Sequence, residues 1–315
     1  MAVTDATAAC AELLAPVLGD RLRRDEPLGP RTTYRVGGAA ALFLEARDTD
    51  DLRRARDAVA QSGVEILVVG RGSNLLVADE GFDGLAVVLG EGFAEVAVEQ
   101  TTVVAGGSAL LPVVARRSVS AGLRGFEWAV GVPGSVGGAV RMNAGGHGSD
   151  RAASLLGVRV LDLAGGEDGA VPVDHLALGY RRSSVPSSTV VLDATLGLAV
   201  GDRDEGEAML AEIVRWRREH QPGGPNAGSV FTNPEGDSAG RLIDAAGMRG
   251  HRVGTASVST KHANFIQADP GGRAADVRAL MEEVVDAVRG TAGIVLHPET
   301  VLVGFEAVPR PEVEG

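Results

Sequence analysis

Residues 131–145 form the stretch of this sequence whose composition points most directly to chemistry. They read Gly-Val-Pro-Gly-Ser-Val-Gly-Gly-Ala-Val-Arg-Met-Asn-Ala-Gly, with five glycines. Because glycine adopts positive φ angles at little cost, several backbone amides of such a loop can turn toward one anion, typically a pyrophosphate. The alternative is a mobile surface loop, which would not need the apolar side chains found here. Those side chains are Val132, Val136, Val140 and Met142.

A second candidate phosphate loop follows the apolar run Ile-Leu-Val-Val at 66–69, which is typical of a buried strand. Gly70 and Gly72 would let the backbone approach a ligand, the arginine between them could supply charge, and a Ser-Asn pair adds short polar groups. Two glycines do not satisfy the three-glycine dinucleotide fingerprint, and no long helix is expected next. A Rossmann fold is therefore disfavoured, and an ordinary β-turn is the alternative.

The composition restricts the class of protein. The chain has 315 residues, enough for two or three domains, and 44% of them are hydrophobic. The formal charge of −12 argues against nucleic acid or an anionic membrane surface as a partner. The single Cys10 excludes an internal disulfide and a cysteine metal cluster, so no metal site is expected. The sequence shows neither a signal-peptide pattern nor an apolar run of about eighteen residues, and a cytoplasmic protein is expected.

Hydrophobic periodicity predicts alternating helices and strands, with a polar joint at 201–206 as the main domain boundary. Helices are expected over 5–18, 50–61, from Ser108 as N-cap to about Gly122, 207–220, 239–246 and 274–288. Strands are expected over 41–46, 66–70, 85–89, 94–99, 102–106, 155–163, 189–199, 264–267 and 299–304.

Seven motifs, taken together and in order, resemble the UDP-N-acetylenolpyruvoylglucosamine reductase family, flavoenzymes that complete UDP-N-acetylmuramate for bacterial peptidoglycan. They are Thr-Thr-Tyr-Arg-Val-Gly-Gly at 32–38, Gly-Arg-Gly-Ser-Asn-Leu-Leu at 70–76, the loop at 131–145, Gly-Tyr-Arg at 179–181, Asn-Ala-Gly-Ser-Val-Phe at 226–231, Lys-His-Ala-Asn-Phe at 261–265 and His-Pro-Glu at 297–299. Each motif is modest alone, but the series extends over nearly the whole chain.

The resemblance implies an α+β protein, with a vanillyl-alcohol-oxidase/PCMH-type FAD-binding fold of two subdomains and a C-terminal α+β substrate domain. The short spacing between Arg181 and Ser229 resembles the family branch that lacks an extra tyrosine-bearing loop. The implied segments are an N-terminal helical arm at 1–20, an FAD-binding domain at 21–200 with its subdomains split near 90–110, a substrate-binding domain at 201–308 and a tail at 309–315.

The family's activity is the NADPH-dependent reduction of UDP-N-acetylglucosamine enolpyruvate to UDP-N-acetylmuramate. The resemblance therefore implies non-covalent FAD, NADPH as hydride donor, a small-molecule substrate, no nucleic-acid or membrane partner, and a monomer. The implied FAD contacts are Arg35, Gly70, Arg71, Gly72, Ser73, Asn74, Leu75, Gly131, Val132, Pro133, Gly134, Ser135, Gly137, Gly138, Asn143 and Gly145. The implied substrate contacts are Tyr180, Arg181, Asn233, Lys261 and His262.

Three residues are implied as catalytic by the same motifs. Arg181 is expected to hold the substrate carboxylate, where negative charge develops, because a guanidinium binds a carboxylate through two parallel hydrogen bonds. Glu299 is expected to act beside that charge as a protonated donor with a raised pKa. Ser229 is expected to give its proton to C2 of the enolpyruvyl group. On the residues alone, a surface salt bridge, an exposed loop acid and a turn serine are the alternatives.

Three positions depart from the family pattern. His220 stands where lysine is usual, Thr232 where lysine is usual, and His147 where an aromatic residue is more typical. These changes affect expected contacts to substrate or NADPH phosphates, and a surface histidine is the alternative for His220. Two other functions stay open: an FAD-dependent oxidase of the same fold that uses O₂, and a flavin or nucleotide binder without catalysis.

Overall fold

The computed structural model describes residues 4–146, 149–150 and 154–306. Their helices are α1 (Asp5–Leu18), α2 (Thr49–Ser62), α3 (Leu111–Ser120), α4 (Val136–Arg141), α5 (Arg203–His220), α6 (Ala239–Ala245) and α7 (Ala274–Ala292). Their strands are β1 (Leu22–Pro27), β2 (Ala39–Ala46), β3 (Ile66–Val69), β4 (Leu75–Val77), β5 (Phe82–Leu89), β6 (Val96–Glu99), β7 (Thr102–Gly106), β8 (Leu123–Arg124), β9 (Gly145–Gly146), β10 (Ser149–Asp150), β11 (Leu155–Asp162), β12 (Asp168–Pro172), β13 (Thr189–Gly197), β14 (Ala199–Val200), β15 (Arg252–Val253), β16 (Ala256–Val258), β17 (Ile266–Ala268) and β18 (Val301–Val303).

The first layer is a four-stranded sheet in the order β1-β2-β5-β3, in which β5 runs parallel to β2 and β3. Helices α1 and α2 bury Leu14 and Leu52 in one core with sheet residues such as Leu42. Helix α2 begins where the Asp48 side chain accepts the amide of residue 51, and ends at Gly63 in the left-handed conformation. The sheet places the end of β3 at the Gly70 loop.

The second layer is a five-stranded antiparallel sheet in the order β12-β11-β13-β7-β6. Helices α3 and α4 cover it, with Val114 and Val140 in the same core as Trp128. Helix α5 also packs there, since Leu210 and Ile213 belong to this core. The domain boundary expected near residue 201 stays a prediction, and the expected tail at 309–315 lies outside the described residues.

The third unit contains the sheet β15-β16-β17 with helices α6 and α7. Its core also includes Tyr34, Val36 and Leu76, which come from the first half of the chain. Strand β18 pairs with β4 in parallel, with Val301 opposite Leu75. Strand β18 is therefore held beside the loop that follows β3.

A carboxylate from the first half of the chain also caps helix α7. Asp79 accepts the amides of Ala274 and Ala275, at 2.8 and 3.0 Å, while the N-cap residue Arg273 makes no side-chain cap. The first amides of a helix have no intrahelical acceptor, so this distant carboxylate supplies what the local sequence lacks.

Several sequence expectations differ from the structure. Helix α5, expected over 207–220, begins at Arg203, within the stretch 201–206 expected to be a polar joint, because the Asp202 side chain caps it by accepting the Glu205 amide. Ser108 was expected to be the N-cap of α3, but that prediction is wrong, because the helix begins at Leu111 and the Ser108 hydroxyl instead donates to the Gly90 carbonyl at 2.9 Å. The strand expected from residue 264 begins at Ile266, because Asn264 uses its side chain to bind the backbone of Phe231.

We expect Asp79→Ala to lower the free energy of unfolding by about 1–2 kcal/mol, because two helix amides lose their acceptor. Urea denaturation measures the change, and hydrogen exchange should quicken at the start of α7. The matched control is Asp202→Ala, which removes the single cap bond from Asp202 to Glu205 at the start of α5. Unchanged exchange at Ala274 and Ala275 would contradict the cross-chain cap.

Candidate active site

A cavity of about 500 Å³ lies between the two glycine-rich loops, the C-terminal end of α5 and the segment before β18. Its wall includes Arg181, Ser229 and Glu299, the three residues expected to be catalytic. The three come from different parts of the chain, and the structure brings them together on one surface. We refer to this space as the front cavity.

A larger cavity of about 680 Å³ adjoins it and is called here the rear cavity. Gly70, Arg71, Ser135 and Gly138 line both spaces, so the glycine loops form the boundary between them. Arg35 and Gly137 line the rear cavity, and the expected cofactor residues that line the front cavity are Gly72, Ser73, Asn74, Leu75, Val132, Pro133, Gly134 and Gly145. Two cavities that meet at a boundary of glycine-rich loops suit an elongated ligand with a central anionic group.

The 131–145 loop uses some of its amides internally. Val136 and Gly137 donate to the carbonyls of Ala109 and Gly107, each at 2.9 Å. The amides of Gly134 and Ser135 have no acceptor among the described residues. Fewer amides are thus available for an anion than the glycine count predicts.

The 70–76 loop contributes further amides to the boundary between the two cavities. Those of Arg71, Gly72 and Ser73 donate to no acceptor within the described ranges. The loop bends at Gly72, whose φ of +60° is easy for glycine and whose added Cβ would lie 2.3 Å from the Arg31 carbonyl oxygen. Loop amides that have no protein acceptor and lie beside a cavity suit an anionic ligand.

The two loops touch, which leaves little room for side chains between them. A Cβ added at Gly70 would lie 2.8 Å from the Ser135 hydroxyl, and one at Gly134, where φ is +140°, would lie 3.2 Å from the Ser73 hydroxyl. Gly138 differs, because its added Cβ meets only the Ser135 hydroxyl, at 3.7 Å. A side chain at position 138 would extend into the space between the cavities without disturbing the protein around it.

Two of the expected cofactor residues lie behind the cavity wall. Asn143 is buried and its side-chain amide donates to the Gly179 carbonyl at 3.0 Å, so it supports the turn that carries Arg181. Gly131 packs against Arg217, since an added Cβ would lie 2.6 Å from the arginine Cδ. Both therefore shape the site from outside its lining.

Arg181 and Glu299 form a partly buried ion pair in the front cavity. The Arg181 Nε lies 3.2 Å from the Glu299 Oε1, and the two side chains are 27% and 15% exposed. The Arg181 Nη1 donates to the Gly145 carbonyl at 3.2 Å. Arg181 has a φ of +54°, an unusual value for a residue with a Cβ. This indicates that the surrounding turn fixes the backbone conformation of Arg181. The exposed Tyr180 ring lies beside its guanidinium.

Burial raises the pKa of Glu299, and the charge of Arg181 lowers it by a smaller amount. Desolvation disfavours the ionised carboxyl, whereas a guanidinium favours it. The Glu299 carboxyl therefore keeps its proton to a higher pH than an ordinary glutamate does. A raised carboxyl pKa in a cavity is a common feature of groups that donate a proton or a hydrogen bond in catalysis.

Asn264 positions the segment that carries Ser229. Its Oδ1 accepts the Phe231 amide at 3.0 Å and its Nδ2 donates to the Phe231 carbonyl at 2.8 Å. The Ser229 hydroxyl itself has no hydrogen-bond partner among the described residues, and it faces both the front cavity and a third pocket. The sequence reasoning missed Asn264, although the Lys-His-Ala-Asn-Phe motif contains it.

The third pocket, of about 320 Å³, contains the expected substrate residues Asn233, Lys261 and His262 together with Arg241 and Arg249. Lysine 261 donates through its Nζ to the Arg218 carbonyl at the end of α5. Burial, and then the charge of Arg249, lowers the pKa of His262, whose Nδ1 accepts a backbone amide at 3.3 Å. The pocket is rich in cationic groups and opens at Ser229.

Arg141 and Arg217 also line the front cavity, and the sequence reasoning did not single them out. Burial lowers the pKa of both, and neither forms an ion pair with an acid in the described part of the chain. Arg141 donates to the Val185 carbonyl at 3.2 Å. The signals that could have found them are the arginine within the 131–145 loop and the helical spacing of Arg217 from Ile213.

His220 and Thr232, which depart from the family pattern, contact different parts of the structure. His220 stacks on Trp216 with ring centroids 4.6 Å apart, and its Nδ1 contacts the Trp216 carbonyl oxygen at 2.8 Å. It does not line the front cavity, although Trp216 does. Thr232 donates to the His297 carbonyl at 3.3 Å, and His147 lies outside the described residues.

Within the described ranges, no group of three or more His, Cys, Asp or Glu side chains is arranged to hold a metal ion. No helix in that same part of the chain is long and apolar enough to cross a membrane.

Comparisons with known proteins agree with this geometry. A family model described as an FAD binding domain matches residues 40–167, and one described as the C-terminal domain of UDP-N-acetylenolpyruvoylglucosamine reductase matches residues 219–303. The reductases of that name from Synechococcus sp. (strain RCC307) and Paramagnetospirillum magneticum are both 42% identical to this chain. The alignments cover 90% and 93% of it, and 94% and 95% of the relatives.

The crystal structure of UDP-N-acetylenolpyruvylglucosamine reductase from Thermus caldophilus is 34% identical to this chain, with a TM-score of 0.78 over 90% of this chain and 99% of that one. The α+β class and the vanillyl-alcohol-oxidase/PCMH-type FAD-binding fold expected from the motifs are confirmed. The resemblance to this family is confirmed as well. By its identity to these relatives over nearly its whole length, the chain belongs to the UDP-N-acetylenolpyruvoylglucosamine reductase family.

Proposed function

We propose that this protein reduces UDP-N-acetylglucosamine enolpyruvate to UDP-N-acetylmuramate, with FAD as cofactor and NADPH as hydride donor. The observation that carries the proposal is the Arg181–Glu299 pair, which lines one cavity together with Ser229 beside two glycine-rich loops. Family membership supports the reaction, and the cavity contains groups suited to each charge that the reaction develops.

The residues present fit FAD. The free amides of Arg71, Gly72 and Ser73 would meet its diphosphate together with those of Gly134 and Ser135. The chemistry that the flavin supplies when bound is two-electron transfer between NADPH and the enol. The linings of the front and rear cavities contain no His or Cys side chain in the described part of the chain, which supports a non-covalent flavin.

Arg181 and Glu299 would stabilise the substrate carboxylate as negative charge spreads into it. The guanidinium can bind a carboxylate with two parallel hydrogen bonds, replacing part of its contact with Glu299. A protonated Glu299 can donate a hydrogen bond where an ionised one would repel. The raised pKa of Glu299 supports this role, because donors fixed in advance stabilise the transition state most effectively.

Ser229 would supply the proton to C2 of the enolpyruvyl group. Its hydroxyl is free of protein acceptors among the described residues, and the two Asn264 bonds fix the segment that carries it. A serine is a weak acid in water, but a strongly basic enolate takes its proton when the geometry is right.

The third pocket would bind the nucleotide diphosphate of the substrate. Lys261, Asn233 and His262 line it, and the lysine forms no ion pair with an acid among the described residues. The pocket arginines, Arg241 and Arg249, are already paired with Asp237 and Asp244. Because Ser229 lies on the wall of both spaces, one ligand can extend from this pocket into the front cavity. We further propose that the protein works as a cytoplasmic monomer without nucleic-acid or membrane partners.

The direct test is the visible spectrum of the purified protein during two additions under nitrogen. NADPH should bleach the oxidised-flavin band, and the enolpyruvyl UDP-sugar should then restore it faster than air does. Recovery with air but not with the enolpyruvyl UDP-sugar would replace the proposal with an oxidase, and a bound flavin that NADPH does not reduce would replace it with a binder.

We expect Gly138→Val to give soluble but colourless protein. The added side chain would fill the space between the two cavities, and its Cβ would not clash with the protein around it. Gly290→Val is the matched control, since Gly290 is also inside a helix and has open space around it. Bound FAD is measured by absorbance after gel filtration. Full occupancy in Gly138→Val would mean that the diphosphate lies elsewhere.

Arg181→Lys should slow turnover of the enol by about 10²-fold or more, the scale for losing one fixed donor to an oxyanion. Lysine keeps the charge but loses the planar fork that binds a carboxylate through two bonds. Arg182→Lys, at the exposed neighbouring position, should leave turnover within about 3-fold. Steady-state assays measure both variants, and equal rates for Arg181→Lys and wild type would leave Arg181 with a structural role.

Ser229→Ala should bind FAD and be reduced by NADPH at nearly the wild-type rate, because its hydroxyl acts only after hydride transfer. Reoxidation by the enol should slow by about 10²- to 10⁴-fold, the usual cost of losing a general acid. Stopped-flow absorbance separates the two halves. Ser229→Cys should recover part of the rate, since a thiol of pKa about 8.5 can donate a proton. Collapse of the NADPH half-reaction instead would remove the proton-donor role.

A further inference from the structure

Asn74 contacts the backbone of the segment that carries Glu299. Its side-chain Nδ2 donates to the Glu299 carbonyl at 3.0 Å, and its own carbonyl accepts the Val301 amide at 2.9 Å. These bonds join the 70–76 loop to the segment that leads into β18, and the two residues of the side-chain bond lie 225 positions apart. The family resemblance predicts a cofactor contact for Asn74, but its side chain already has this protein partner.

The opposite side of Glu299 is held by the segment that carries the proposed proton donor. The Glu299 amide donates to the Val230 carbonyl at 2.8 Å, and the Thr232 amide donates to the His297 carbonyl at 3.0 Å. Val230 directly follows Ser229. Both backbone polar groups of Glu299 are therefore bonded, one to the flavin loop and one to the serine segment.

Asn74 is well suited to this contact because its partner is an acceptor. A carboxamide offers N–H donors as well as a carbonyl oxygen, and the Glu299 carbonyl selects the donor end. The opposite orientation of the amide would bring two oxygen atoms together. Aspartate has the same shape but, when ionised, has no hydrogen to donate.

We propose that Asn74 is a positioning residue that aligns Glu299 with Arg181 and Ser229 and ties that alignment to the flavin loop. The inference rests on the proposed function. The amides of Arg71, Gly72 and Ser73 stay available for the cofactor diphosphate when the Asn74 side chain is changed. Loss of the Asn74 donor thus frees the Glu299 carbonyl while leaving the cofactor contacts of this loop in place.

The test compares Asn74→Ala, Asn74→Asp and Asn74→Gln with the control Gln61→Ala. Gln61 makes the same kind of bond, from Nε2 to the Asp57 carbonyl at 3.1 Å, on the exposed surface of α2. The dissociation constant of FAD, from flavin fluorescence, should stay within about 3-fold of wild type in all four. The NADPH half-reaction should also be unchanged.

The enol half-reaction should slow by about 10- to 10²-fold in Asn74→Ala, since a displacement of about 1 Å can cost 10²-fold. Asn74→Asp should be slower still, because an ionised carboxylate repels the Glu299 carbonyl. Asn74→Gln should recover part of the rate, since it retains a donor. A purely structural role would instead lower FAD affinity and both half-reactions together.

A second readout does not depend on activity. Hydrogen exchange of a peptide covering 297–301 should quicken by about 10-fold in Asn74→Asp with FAD bound, and stay as in wild type in Gln61→Ala. Weaker FAD binding with a normal enol rate per bound flavin, or unchanged enol rate and exchange, would overturn the proposal. A wild-type protein that fails to reduce the enol would remove the proposed function, while the exchange result would still decide whether Asn74 holds Glu299.

Discussion

The site depends on one structural constraint, the parallel pairing of the last strand, β18, with β4. Val301 lies opposite Leu75, and the Ala78 amide donates to the Val303 carbonyl at 2.8 Å. This pairing brings Glu299 beside the loop that follows β3, where its amide donates to the Val230 carbonyl next to Ser229. Because the core of the third unit also includes Tyr34 and Leu76, the two halves of the chain share buried apolar surface and hold this geometry together.

Electrostatics then gives the cavity its chemical character. The chain as a whole carries a formal charge of −12, yet arginines line the front cavity, and among the described residues Glu299 is the one carboxyl side chain on its wall. Desolvation lowers the pKa of Arg141 and Arg217. Keeping these two guanidinium groups charged therefore costs free energy, which a bound anion would offset. The cavity arginines therefore favour an anionic ligand in a chain that is negatively charged overall.

Much of the fold and of the candidate site could be predicted from the sequence. The rest depended on contacts between residues that are far apart in the chain. Local patterns located α2 and β3 well, because caps, glycine stops and apolar runs act within a few residues. Ser108 was misassigned because a distant carbonyl took its hydroxyl. The motifs indicated Arg181, Ser229 and Glu299 only through family resemblance. No local pattern could reveal that Asn74 or Asn264 positions them.

The central claim is that Glu299 is a partly buried carboxyl whose desolvation outweighs the attraction of Arg181. The direct measurement is a ¹³C NMR titration of protein labelled in its glutamate carboxyls, with the Glu299 signal assigned from the Glu299→Gln variant. We expect the pKa of Glu299 to lie above that of an ordinary glutamate and to rise further in Arg181→Met, where the opposing charge is gone. An ordinary or lowered pKa in the wild-type protein, unchanged by Arg181→Met, would contradict the account.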